Sequence, residues 1–345
     1  MRLLPIVIIL LFQKTYASTI PLSNQKIVTK LAFGSCIKEH KKQKIWKQIR
    51  KDNPDLFIFL GDNIYADTED MEVMKTKYKK LWNNPHFKIF KKNIPIMATW
   101  DDHDYGKNDA GKEYPKKFDS KNLFLDFFDP LNSARRKQAE GIHTSYIVGP
   151  PGRRLHIIIL DTRWSRTGLL EEKKAFTKLK RTLKGMGPYR PNKDPNSRIL
   201  GRQQWSWLNN EFQKKADLRI LVTSIQVLAD YTGWEAWANF PSERNRLLKL
   251  IKKHRDTKTI ILSGDVHRGE IAEIKLKDGY PLVEVTSSGL TETTLKTPPN
   301  KNRLFRPVLK PNYGLLKIDW GKKITTLIKG KRGEIYKQYK TPFLK

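Results

Sequence analysis

Seven apolar runs, each about one strand long, recur between residues 28 and 290, and several end in chemically competent side chains. They read "VTKLAFGSC", "DLFIFLGD", "IPIMATW", "RLHIIILDTR", "LRILVTSIQVL", "TIILSGDVH" and "PLVEVTSSGL". Amphipathic segments at Lys44–Lys51, Glu72–Trp82, Gln203–Lys215 and Ser242–Arg255 lie between several of them. This alternation predicts an α/β architecture. The tail differs, since "NYGLLKIDW", "KKITTLIKG" and "GEIYKQYK" follow one another with no helix between. A late antiparallel set is expected there, which makes the sheets mixed. Two Pro-rich stretches, 184–198 and 296–312, read as loops rather than linkers because strand patterns continue on both sides. One catalytic domain over residues 18–345 is the expectation.

The places where the strands stop carry the functional signal. They end in Gly34-Ser35-Cys36, Gly61-Asp62-Asn63, Trp100-Asp101-Asp102-His103, Asp161-Thr162-Arg163 and Gly264-Asp265-Val266-His267. Any one of these fits a helix cap or a turn. In α/β sheets, however, ligands bind outside the carboxyl ends of the strands, so five such endings point at one shared site.

Cys36, Asp62, Tyr65, Asp102, Asp265 and His267 are all competent metal ligands. Several anionic side chains in one pocket repel each other unless cations neutralise them. A carboxylate shared by two metals is a common arrangement for phosphoester hydrolysis, by in-line attack of metal-bound hydroxide. Only two of the seven histidines fall in these motifs, which disfavours a His-rich di-zinc site. Thiolate with phenolate suits Fe3+, and carboxylate or amide oxygens suit Ca2+; other divalent metals stay compatible. Asp101 fits a ligand of a third metal and a turn residue equally. Cys36 also fits a small buried hydrophobe, and Tyr65 a loop cap. Trp205, Trp207, Trp234 and Trp237 read as core or pocket wall.

Charge bears on partners. The chain carries 67 Lys and Arg against 35 Asp and Glu, a formal charge of +32. Such a protein is drawn to polyanions: nucleic acid, phospholipid surfaces or phosphate-bearing wall polymers. Single basic runs such as "KEHKKQKIWKQIRK" read equally as solvated helix faces. The start, "MRLLPIVIILLFQKTYAST", has the pattern of a signal peptide over residues 1–17: a basic residue, an apolar run and a small-residue cleavage site. That run is too short for a mature membrane span, and no later segment is apolar enough for one. A secreted or periplasmic protein is expected. Its single cysteine, Cys36, allows no internal disulfide, so stability rests on the core. Nothing in the sequence sets an oligomeric state.

"FGSC", "DLFIFLGDNIYAD", "ATWDDHDYGKNDAG", "LDTRWSR", "LGRQQWSWL", "TSIQ", "SGDVHRGE" and "TSSGLT" follow one another along the chain. Their order and content resemble the alkaline phosphatase D (PhoD-like) metallophosphatases across roughly Lys30 to Trp320. The resemblance implies a calcineurin-like metallophosphatase fold, a two-sheet β-sandwich flanked by helices, around two or three metals. It implies that Asp62 bridges metals, that Cys36, Tyr65 and His267 bind ferric iron, and that Asp102 and Asp265 bind the second metal. His103 would be the proton donor to the leaving oxygen or a donor to phosphate, with Asp104 orienting its imidazole. Asn63 and Gln226 are further ligand candidates. Arg163 and Arg166 would clamp phosphate oxygens.

Two departures stand out. Many members carry an N-terminal β-domain, whereas only about ten residues separate the expected cleavage site from the first strand. No twin-arginine pair precedes the apolar run, which implies a Sec route and metal loading after export. The expected activity is hydrolysis of phosphate esters. An extracellular nuclease or phospholipase of the same chemistry is the nearest rival. A non-catalytic cationic protein that binds polyanions is the rival from another class.

Overall fold

The computed structural model describes residues 25–276 and 279–343. The signal-peptide pattern at residues 1–17 lies outside them. Among the described residues, fourteen strands form. The first five are β1 (Lys30–Gly34), β2 (Leu56–Leu60), β3 (Ile96–Thr99), β4 (Thr144–Val148) and β5 (Leu155–Ile159). A two-stranded ribbon, β6 (Leu170–Glu171) and β7 (Tyr189–Arg190), comes next. Then follow β8 (Leu218–Val222), β9 (Lys258–Ser263), β10 (Gly269–Lys275) and β11 (Pro281–Ser287). The tail supplies β12 (Asn312–Asp319), β13 (Lys323–Gly330) and β14 (Ile335–Pro342), an antiparallel set as its sequence predicts.

These strands build two six-stranded mixed sheets, ordered β14-β13-β12-β1-β2-β3 and β10-β11-β9-β8-β5-β4. Strands β1, β2 and β3 run parallel in one sheet, and β5, β8, β9 and β11 in the other. The period-2 rule sorts their side chains. Leu56, Ile58 and Leu60 of β2 face the second sheet, packing with Ile157, Ile220 and Leu262. Phe57 and Phe59 face outward instead, onto helices. Those helices are α1 (Ile45–Asp52), α2 (Met71–Asn83) and α3 (Pro85–Asn93). After the one-turn α4 (Asp102–Tyr105), α5 (Lys117–Phe128) joins the same layer, and the short α6 (Ser133–Lys137) follows. Trp46 of α1 sits fully buried among Phe57, Phe59, Phe87 and Phe90, ring centres 4.8–5.6 Å away.

The outer face of the second sheet is covered by α8 (Arg202–Gln213) and α9 (Pro241–Lys253), while α7 (Ala175–Leu183) lies in the connection between β6 and β7. Continuous apolar strands are what such double coverage requires. The result is a β-sandwich between helical layers, as expected from the sequence. At the carboxyl ends of β1 and β11, Ser35 pairs with Ser288 in a parallel bridge that ties the two sheets together. All the parallel strands deliver their carboxyl ends to this edge.

Candidate metal centre

The chain turns sharply where the strands end. Among the described residues, seven non-glycine positions have positive φ: Cys36, Asn53, Asp62, Asp67, Asp109, Asp265 and His267. All but Asn53 lie in or beside one cleft. Left-handed backbone costs a non-glycine residue roughly 1–2 kcal/mol, so this concentration marks strain held in place for a use. Two glycines allow the turns to close on each other. A Cβ on Gly61 would lie 2.5 Å from Asp101 Cβ, and one on Gly264 would lie 2.5 Å from Ser35 Oγ.

The turns bring together Cys36, Asp62 and His267, then Asp62, Asp102 and His103, then Asp101, Asp102 and Asp265. Within each group the potential ligand atoms lie within 4.8 Å of one another. A fourth group joins Asp102, Asp109 and Glu235, so Asp62 belongs to two groups and Asp102 to three. The Cys36 thiol donates to Asp62 Oδ2 at 3.2 Å and lies 2.9 Å from Ser288 Oγ. Tyr65 Oη lies 2.9 Å from His267 Nε2 and 3.4 Å from Asp62 Oδ2.

Electrostatics singles out this cluster. Burial, then the carboxylates of Asp102, Asp101, Asp104 and Asp265, push Asp62 well above the ordinary carboxylate range. Asp265 is raised by burial and by Asp101 and Asp102. Burial also pushes the Cys36 thiol up, with help from Asp62. His267 is lowered to about 4, chiefly by burial, and so presents a neutral imidazole. The buried acceptors Asp62 Oδ1, Asn63 Oδ1 and Asp102 Oδ1 find no donor among the described residues. Acceptors without donors, crowded around a neutral imidazole and a thiol, suit cations. The residues present therefore fit a metal centre.

His103 is held differently from the expectation. Its Nδ1 lies 2.7 Å from Asp67 Oδ1, not against Asp104. Asp104 instead accepts from the backbone N–H groups of Asp62 and Asn63, both at 3.2 Å, and of Asp101 at 2.6 Å. Adjacent residues on a helical turn point to different sides, which keeps Asp104 from its neighbour's ring. Asp104 thus shapes the Gly61-Asp62-Asn63 turn. Burial works to lower His103, but Asp102 and Asp67 outweigh it and raise the imidazole to about 9.

Arg163 and Arg166 are fully buried and do not line the cleft; they stand behind its acidic residues. Arg163 Nε donates to Asp101 Oδ1 at 2.5 Å, and its Nη1 to Glu235 Oε2 at 2.8 Å. Arg166 pairs with Glu235 at 2.9 Å and donates to the Asp109 carbonyl. Their charges meet protein carboxylates, so their place is positional. Asp101 also accepts from Ser224 Oγ at 2.7 Å. Gln226 donates to Thr286 Oγ1 at 2.9 Å, leaving its Oε1 without a donor.

A cavity of about 220 Å³ opens above the carboxylates, lined in part by Asp62, Asp102, His103, Asp265 and His267. Asn108, Asp109, Tyr189, Trp234, Glu235, Arg268 and Lys296 complete much of its wall. Sequence reading passes over Asp67, Asp109 and Glu235. The first two lie inside the quoted motifs and share the left-handed turns; Glu235 has no local signal.

The PhoD-like phosphatase family matches residues 31–314. Alkaline phosphatase D of Bacillus subtilis (strain 168) is 24% identical over 269 residues, 68% of this chain and 45% of that protein. The chain thus spans about half the length of the curated relative it matches. The solved structure of PhoD superposes with a TM-score of 0.71 at 16% identity, covering 92% of this chain and 69% of that one. The purple acid phosphatase PPD1 of yellow lupin (Lupinus luteus) seeds superposes at 0.60 with 13% identity, covering 93% and 55%. At these identities the two structures show the fold.

Proposed function

Because the chain belongs to the PhoD-like phosphatase family, we propose that it is a metal-dependent phosphoric ester hydrolase acting from the strand-end cleft. The observation that carries this reading is the position of Asp62, shared by two ligand clusters and buried with an unpartnered oxygen. Cys36, Tyr65 and His267 would hold one metal, Asp102 and Asp265 a second, and Asp62 both. Ferric iron with a harder ion such as Ca2+ would acidify a water for in-line attack and neutralise charge on the phosphoryl group. The protein's own groups do the rest. Asp67 fixes His103 through Nδ1, which leaves Nε2 to protonate the departing oxygen. The Asp67 carboxylate beside Nδ1 also favours the protonated imidazole. Lys296, on the cavity wall, adds positive charge for the ester's phosphate, whereas the Arg268 charge already meets Glu270 at 2.8 Å. Residues 18–345 would act as one catalytic domain, exported behind the leader pattern.

Metal analysis, a visible spectrum, and assays with nitrophenyl phosphate and bis-nitrophenyl phosphate test the proposal. A coloured, metal-replete protein that hydrolyses either ester is expected, with the band lost in Tyr65→Phe. Metal-replete protein without hydrolysis would sink the function. A band that survives Tyr65→Phe removes the phenolate ligand.

Asp67→Asn tests the proton donor. We expect kcat to fall roughly 10–100-fold, the usual cost of removing an orienting partner. The loss should be larger for phenyl than for nitrophenyl esters, because a poor leaving group needs the proton more. An equal loss for both would remove His103 from that role.

A further inference from the structure

Helix α7 has no buried side chain. Phe176, Leu179 and Leu183 recur at three- and four-residue spacing and so share one face. They are 78%, 59% and 80% exposed. Around them, residues 173–184 read "KKAFTKLKRTLK", six basic residues and no acid. An apolar stripe left in water is unfavourable, and this one faces away from both sheets.

The helix is nevertheless anchored. Arg181 pairs with Glu172 at 3.0 Å and donates to the Tyr189 carbonyl at 3.1 Å. Just beyond its end, the Gly185 carbonyl accepts from Trp234 Nε1 at 2.9 Å. Tyr189 and Trp234 both line the catalytic cavity, so α7 belongs to the cavity's rim. Thr294 and Lys296 line the same cavity. Between them Leu295 is 87% exposed, and Lys296 Nζ sits 4.4 Å above the Trp234 ring.

The geometry points to a membrane-docking surface: α7 lies on an anionic lipid bilayer. Phe176, Leu179 and Leu183 enter the acyl boundary, while Lys178, Lys180 and Lys184 meet the headgroup phosphates. A short amphipathic helix with Phe and Leu on one face and Lys on the other binds in this way, using apolar area and anionic attraction together. Charge decides the occupant. A second copy on the same face would set Lys173, Lys174, Lys178, Lys180 and Lys184 against the same five lysines, which is repulsive. Anionic lipid complements both the stripe and the charge. Docking there sets the rim of the cavity beside the headgroups, and it needs no catalysis to occur.

The test is co-sedimentation of the purified chain with vesicles of phosphatidylcholine alone and of phosphatidylcholine mixed with phosphatidylglycerol. Binding to the mixed vesicles and little to the neutral ones is expected. The triple variant Phe176→Ser, Leu179→Ser, Leu183→Ser should bind the mixed vesicles about a hundred-fold more weakly. Each of Lys178→Gln, Lys180→Gln and Lys184→Gln should weaken it roughly fivefold. Wild type and variants share residues 1–24, so their difference reports α7. All the substituted side chains are exposed, so circular dichroism and hydrolysis of nitrophenyl phosphate should not change. Unaltered vesicle binding by the triple variant overturns the proposal. So does a wild-type dimer by light scattering that the triple variant abolishes, since a second copy would then cover the face.

Discussion

Asp62→Ala is expected to lower kcat for nitrophenyl phosphate roughly a thousand-fold, the factor that about 4 kcal/mol of lost charge stabilisation produces. Bound metal should fall with it, because Asp62 joins the Cys36–His267 group to the Asp102–His103 group. Stability without metal should move the other way. Burial and four neighbouring carboxylates raise Asp62, and Asp265 is raised for similar reasons. A carboxyl whose folded pKa exceeds its unfolded value binds its proton more tightly when folded. The chelated protein should therefore lose stability as pH rises from about 4 through the folded values of both groups. Asp62→Asn removes one of the two charges. In chelator it should melt above wild type at neutral pH, with a shallower fall of stability between acid and neutral conditions. Calorimetry at several pH values in chelator reads this out. If chelated Asp62→Asn melts below wild type, the repulsion is not what the metals relieve.

Arg163→Ala is expected to destabilise the protein by about 3–5 kcal/mol, because it leaves buried carboxylates without their cation. Arg163 is fully buried and bonds Asp101 and Glu235, both themselves buried. Burial tends to raise Asp102, but Arg163 and His103 hold it below the ordinary carboxylate range, so the loss should also disturb metal binding. Arg163→Lys should restore little, since one ammonium cannot replace a planar fork that reaches two carboxylates. Asp101→Ala with Arg163→Ala should cost less than the sum of the two single changes. Denaturant unfolding of the four proteins checks the coupling. Additive losses would mean that Arg163 acts through packing rather than through Asp101.

Most of the sandwich can be read from the chain because its parallel strands are apolar on both faces. The expected α1, α2, α8 and α9 segments and the antiparallel tail also match the observed elements within a few residues. Strand β10 is harder to read. "GEIAEIK" carries two glutamates, and Glu270 is buried only because Arg268 and Arg303 pair with it at 2.8 and 3.1 Å. Helix α7 is obscured for the opposite reason, since it packs against neither sheet.

Local pattern determined which side chains stand at the strand ends: a short apolar run followed by a glycine turn leaves Cys36, Asp62, Asp265 and His267 little choice of edge. Tertiary structure alone decided their partners. Asp67 rather than Asp104 holds His103, Glu235 reaches Arg163 and Arg166 from more than sixty residues away, and Asp101 meets Arg163 instead of facing the cavity. Those pairings depend on how far apart the turns of two packed sheets come to rest. A separation of a few ångströms between loops distant in sequence is set by core packing, and the run of residues near each partner does not encode it.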